Sequence, residues 1–136
     1  MTRTKRDPLF RKRVLAIYDN RCAFCHLKIK LNHNDLSMEA AHIMWKARGG
    51  PCTEQNGLSL CPTHHYTFDK GVWSLDPNYK IILSSSLLLD KRSDLFFEPF
   101  KGQAITDSIL DDNFLPHQKF LKWHGENIFK KKAMNN

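Results

Sequence analysis

Apolar residues near the start of the chain recur at the spacing of one helix face. Phe10, Val14 and Ile17, with Tyr18 beside Ile17, line up there, while Arg11, Lys12 and Arg13 take the opposite side. Asp7-Pro8 is a start signal: an N-cap carboxylate, then a proline whose missing N–H costs nothing in the first turn. The pattern predicts a helix over 8–19. The period then changes to two. Leu36, Met38, Ala40 and His42 alternate through 36–43, which predicts a strand with these four on one face. A long loop, 44–55, is punctuated by Gly49-Gly50-Pro51 and leads into the short apolar run 56–60. Pro62 opens a short helix over 62–69 that Gly71 stops. Residues 72–75 and 79–84, joined by Asp76-Pro77-Asn78, predict a hairpin. The stretch 87–112 fits neither period. Residues 117–129 predict a closing helix with Phe120, Trp123 or His124, and Ile128 turned inward. The mixture is of the α+β class, without internal repeats.

Composition narrows the setting. The 136 residues are 41% hydrophobic and 26% charged, as in soluble globular proteins. No apolar run approaches the roughly 20 residues that span a bilayer. The basic N-terminus lacks the apolar stretch and cleavage site of a secretory signal, so a cytoplasmic, single-domain chain is expected. Net charge is +7, and residues 1–30 alone carry that surplus: Arg3, Lys5, Arg6, Arg11, Lys12, Arg13, Arg21, Lys28 and Lys30 against Asp7 and Asp19. Residues 31–129 are net acidic, and Lys130, Lys131 and Lys132 restore positive charge at the end. Two basic ends on an acidic body point to a polyanion such as nucleic acid. A solvated basic face is the plain alternative.

Cys22-x-x-Cys25 and Cys61-x-x-His64 are two chelating pairs with 35 residues between them. Each spacing lets two side chains of one tight turn meet a single tetrahedral ion, and four ligands leave no open position, the arrangement of structural zinc. Disulfides are the competing use of four cysteines, disfavoured in a reducing compartment. Cys52 lies outside knuckle spacing and reads as a loop residue; His26, beside Cys25, is an alternative to His64.

His42, Asn56 and His65 interleave with these pairs. Cys-x-x-Cys, Ala40-Ala41-His42-Ile43, Gly49-Gly50, Asn56-Gly57-Leu58-x-Leu60-Cys61-x-x-His64-His65 and Phe68-Asp69-x-Gly71 follow in order. This series, over roughly 20–75, resembles the HNH endonuclease family, and in particular the nuclease domain of bacterial McrA-like restriction enzymes. The resemblance implies a ββα-metal core over 21–75 braced by zinc. A basic helix (1–20) would precede it and a hairpin and helix extension (76–136) would follow.

It also implies a metal-dependent DNA endonuclease that leaves 5′-phosphate and 3′-hydroxyl ends. His42 would be the general base, Asn56 would hold the loop and orient His42 through a backbone carbonyl, and His65 would ligate Mg²⁺ or Mn²⁺. Ala41 departs from the pattern, because many members place a second metal ligand there and a methyl group cannot ligate. Asp69, one turn beyond His65 on the same helix face, is the candidate replacement, and Glu39 a weaker one. Asp69 could equally serve the helix C-terminus. Arg11, Lys12, Arg13, Lys46 and Arg48 are candidate DNA contacts, with Trp45 beside the last two, while His33, His117 and His124 lack partner spacing. One such site cuts one strand, so double-strand cleavage would need a dimer or two encounters. McrA-like enzymes carry a separate reader domain for which 136 residues leave no room, so specificity would come from elsewhere. The rival function is a non-catalytic zinc module that binds nucleic acid or protein.

Overall fold

The first helix, α1 (Pro8–Ile17), begins where its signals place it: the Asp7 carboxylate accepts the N–H groups of Leu9 and Phe10 at 3.0 and 3.2 Å. It ends before 19, because Asp19 and Asn20 both adopt left-handed φ values, 56° and 55°, and turn the chain back. Phe10, Val14, Leu15 and Tyr18 are buried, whereas Ile17 is only half-buried. The computed structural model describes residues 7–131; Arg3, Lys5, Arg6 and Lys132 of the basic ends lie outside the described residues.

An exposed hairpin that hydrophobic periodicity did not predict comes next. Strands β1 (Ile29–Leu31) and β2 (Asn34–Leu36) pair Ile29 with Leu36 and Leu31 with Asn34. Asn32 and His33 form the turn with left-handed φ values of 50° and 69°, the conformation that favours glycine; a histidine there conceals the signal. Leu36 therefore belongs to this hairpin, and Ser37, at φ 74°, separates it from the next strand. The strand expected over 36–43 is shortened to β3 (Glu39–His42).

β3 pairs antiparallel with β4 (Gly57–Leu60), placing Ala41 against Leu58 and His42 against Gly57. β4 runs directly into α2 (Pro62–Asp69), completing a ββα unit. Gly57 is required by packing: a Cβ there would lie 2.4 Å from Val14 Cγ2. Helix α1 thus lies directly across the strand pair. In the long loop, Lys46–Arg48 and Glu54–Asn56 form single 3₁₀ turns.

The predicted hairpin is β5 (Trp73–Leu75) with β6 (Ile81–Leu83), its turn held by the Asp76 carboxylate accepting from the Asn78 and Lys80 N–H groups. Residues 93–114 contain four short 3₁₀ turns, too brief to show any period, with Ile105 buried in one of them and Phe97 and Ile109 buried between them. Helix α3 (Gln118–Asn127) buries Phe120, Leu121 and His124, with Ile128 just beyond it; Trp123 stays half-buried. A continuous buried cluster reaches from Phe10 to Leu121. No helix among the described residues is long and apolar enough to cross a membrane.

Candidate active site and metal centres

The tight turn after α1 carries Cys22 and Cys25, and the Cys25 N–H donates to Cys22 Sγ at 3.5 Å. Cys61 is the N-cap residue of α2, and His64 lies in its first turn. The four ligand atoms all fall within 4.8 Å of one another. His64 Nδ1 is 3.3 Å from Cys61 Sγ and 3.9 Å from Cys22 Sγ. Its Nε2 lies 2.8 Å from the Phe96 carbonyl; an Nε2–H donor there leaves the Nδ1 lone pair facing the sulfurs. Phe24 stacks on the ring with centroids 3.9 Å apart. Without a cation, burial disfavours charge on His64, yet its hydrogen bonds to Cys25 and Cys61 outweigh that and push it up to about 9; a cation on Nδ1 would take that proton's place.

Three thiols packed against one imidazole strongly resist joint ionisation unless a cation joins them. The donor set fits a closed tetrahedral site and could hold zinc. His26 stands apart, with Nδ1 3.2 Å from Ser108 Oγ, so it does not substitute for His64. All four cysteines are free thiols.

The second constellation opens onto a cleft of about 810 Å³ whose walls include Phe10, Arg11, Glu39, His42, Lys46 and His65. His42 ends β3, its ring stacked on Phe10 at 4.3 Å and 15°, with Nε2 3.5 Å from Cys52 Sγ. Burial holds His42 below the ordinary histidine range; Lys46 adds to this and Asp69 opposes it. His65, on α2, lies between two carboxylates: Nδ1 is 2.7 Å from Glu39 Oε1 and Nε2 3.3 Å from Asp69 Oδ2. It is held above the ordinary range, chiefly by the Asp69 hydrogen bond, with burial opposing and Glu39 assisting.

Asn56 is fully buried. Its Oδ1 accepts from the Met44 N–H at 2.8 Å, and its Nδ2 donates to the carbonyls of Met44 and Pro51 at 3.0 and 2.9 Å. It therefore ties Met44, at the start of the loop after His42, to Pro51 within it. Its link to His42 is through the main chain, where the Ile43 N–H donates to the Asn56 carbonyl at 3.0 Å.

Residues 22–76 match the HNH endonuclease family model. This segment belongs to the HNH endonuclease family. In fold, the chain is similar to a modification-dependent TagI restriction endonuclease, with a TM-score of 0.65 and 19% identity over 96% of this chain. The chain spans only 41% of that protein. No curated protein matches the chain in sequence.

Within the HNH core, His42, His65, Glu39 and Asp69 come together, with Asn56 behind them. The cationic candidates separate. Arg11 lines the cleft and donates through Nη2 to the Met38 carbonyl at 3.0 Å, and Lys46 also lines the cleft. Arg13 points elsewhere, 3.8 Å from Glu54; Lys12 and Arg48 are exposed. His33 is exposed at a hairpin tip, His117 accepts the Lys119 N–H at the start of α3, and His124 is buried.

Ala41 is completely buried, so its methyl serves the core. Sequence reasoning passed over two neighbours of His42. Phe10 read only as helix core, and Cys52 only as a spare loop thiol.

Proposed function

We propose that this chain is a metal-dependent DNA endonuclease of restriction type, acting in the cytoplasm and leaving 5′-phosphate and 3′-hydroxyl ends. The observation that carries the reading is that a half-buried histidine below its usual range, a histidine between two carboxylates, and two cationic side chains share one cleft. Membership of the HNH family supplies the reaction class.

The donor set at His65, one imidazole and two carboxylates, suits Mg²⁺ or Mn²⁺. Such a cation, when bound, neutralises charge on the scissile phosphate and the leaving oxygen. His65 would hold it with a carboxylate from Asp69 or Glu39. His42, largely neutral at pH 7, takes the proton from the attacking water. Phe10 fixes the plane of its ring, and Asn56 holds the loop that closes the cleft. Arg11 and Lys46, which line the cleft, would meet backbone phosphates, with Lys12, Arg13 and Arg48 as outlying contacts. Cys22, Cys25, Cys61 and His64 would hold zinc, which would brace α2, the helix that carries His65, against the turn after α1.

The likeness to a modification-dependent enzyme makes modified DNA the first substrate to test. Specificity would then come from a separate domain or subunit, and double-strand cleavage from a homodimer.

The purified protein should nick or linearise plasmid with Mg²⁺ or Mn²⁺, and His42→Ala should slow this at least about 10²-fold. Modified and unmodified plasmids are compared in parallel. A protein that binds both and cuts neither with either metal would instead be a non-catalytic zinc module.

A further inference from the structure

Cys52 is the thiol that the four-donor cluster leaves over, and its Sγ lies 3.5 Å from Nε2 of His42. Zinc bonds of about 2.3 Å to sulfur and about 2.0 Å to nitrogen, at a tetrahedral angle, set the two ligand atoms roughly 3.5 Å apart. The matching separations in the four-donor cluster, 3.3 Å from His64 Nδ1 to Cys61 Sγ and 3.9 Å to Cys22 Sγ, bracket that value.

Both donors are held in place before any ion arrives. Phe10 stacks on the His42 ring, and Asn56 Nδ2 donates to the carbonyl of Pro51, the residue before Cys52. Little side-chain or loop freedom remains to be lost on binding. His42 and Cys52 are half-buried rather than sealed, so the thiol can shed its proton to solvent and water can enter the shell. A thiolate beside an imidazole selects Zn²⁺ over Mg²⁺. Two protein donors are half a structural set; water would fill the other positions, and the ion would exchange.

We propose that Cys52 Sγ and His42 Nε2 form an exchangeable zinc site, distinct from the four-donor cluster, that switches His42 off. Binding releases the Cys52 thiol proton to solvent, forms one Zn–S and one Zn–N bond, and transfers no electrons. The Nε2 lone pair goes to the ion, so the neutral ring carries its proton on Nδ1. Neither nitrogen can then accept a proton from water. The inhibition rests on the proposed role of His42 as the base, whereas the site itself does not.

The test reads the ion separately from the reaction. The full chain, already loaded with zinc in the four-donor cluster, is labelled with a maleimide at rising buffered Zn²⁺, without DNA or Mg²⁺. Added Zn²⁺ should slow labelling of Cys52 at least about tenfold, because a metal-bound sulfur is withdrawn from reaction. In His42→Ala the thiol should stay reactive at every Zn²⁺ level. Plasmid cleavage is then followed at saturating Mg²⁺, each protein being compared with and without the added Zn²⁺. Zinc should slow the parent at least about 10²-fold, the lower end of what a general base supplies, and a zinc chelator should restore it. In Cys52→Ser the ratio of the two rates should stay near one.

An unprotected thiol in the parent, protection that survives in His42→Ala, or equal zinc inhibition in Cys52→Ser would overturn the proposal and leave the nuclease reading intact. Protection that depends on His42 in a protein that cuts no plasmid would support the site and remove the nuclease reading instead.

Discussion

The thiol of Cys52 lies 3.5 Å from Nε2 of His42, on a ring whose face is covered by Phe10. If Nε2–H faces the sulfur, Nδ1 is the nitrogen left to receive a proton. Cys52 is also the cysteine outside the four-donor metal cluster. With zinc bound, therefore, one thiol should react readily with a maleimide, and stripping the metal should expose three more. Alkylation of Cys52 would crowd the base and should lower cleavage at least about tenfold, part of the 10²–10⁴-fold a base supplies. Cys52→Ser should retain most activity and be insensitive to the reagent. Equal sensitivity in Cys52→Ser would assign the inhibition to another site.

Lys46 should control the pH at which His42, the proposed base, becomes available. Burial, the largest influence, and then the Lys46 charge disfavour the imidazolium of His42 and lower its pKa. Cleavage should thus rise with pH through a midpoint below the ordinary 6.5 for histidine. Removing a positive neighbour stabilises the imidazolium, so Lys46→Ala should move that rising limb to higher pH. The position of the limb, not the rate on the plateau, is the measurement, because loss of a phosphate contact also lowers the plateau. An unmoved limb would disconnect Lys46 from His42.

The chelating pairs and the motif histidines were legible because each depends on local spacing. Cys-x-x-Cys needs one turn, and adjacent His64 and His65 diverge on a helix so that one meets the thiols and the other the cleft. Contacts set by packing were not legible. Cys52 meets His42 because Asn56 draws Met44 and Pro51 together. Glu39 was visible only as a weaker candidate by strand spacing, because its 2.7 Å approach to His65 depends on β3 packing against α2. The β1–β2 hairpin escaped because its strands are exposed throughout, leaving no buried face to impose a period.

The three cations of α1 should not contribute equally to DNA binding. Arg11 is anchored to the Met38 carbonyl on the cleft wall, whereas Arg13 is directed to Glu54. Each phosphate contact adds about 0.9 to the slope of log affinity against log salt. Arg11→Ala should reduce that slope by about one such contact across all sequences, while Arg13→Ala should leave it nearly unchanged. Equal effects would mean that the whole helix face, and not the cleft edge, meets the backbone.

His124 should make the fold acid-sensitive independently of the metal centres. It is fully buried, its Nδ1 2.7 Å from Ser74 Oγ and its Nε2 3.0 Å from the Phe68 carbonyl, and the Phe68 ring stacks on it at 3.7 Å. Burial pushes its pKa down from 6.5 to about 4. Because the folded value is depressed, its stabilisation is complete above pH 6.5 and is lost as pH falls toward 4, where only the unfolded chain gains the proton. By pH 5 the loss should reach about 2 kcal/mol. Acid would also protonate the thiolates of the candidate zinc site, so the parent curve alone does not isolate this residue. His124→Gln keeps all four zinc ligands and removes only the buried imidazole. Urea unfolding should find it less stable than the parent at pH 7 but with a flatter decline between pH 7 and 5. Parallel declines would assign the acid sensitivity to the zinc site instead.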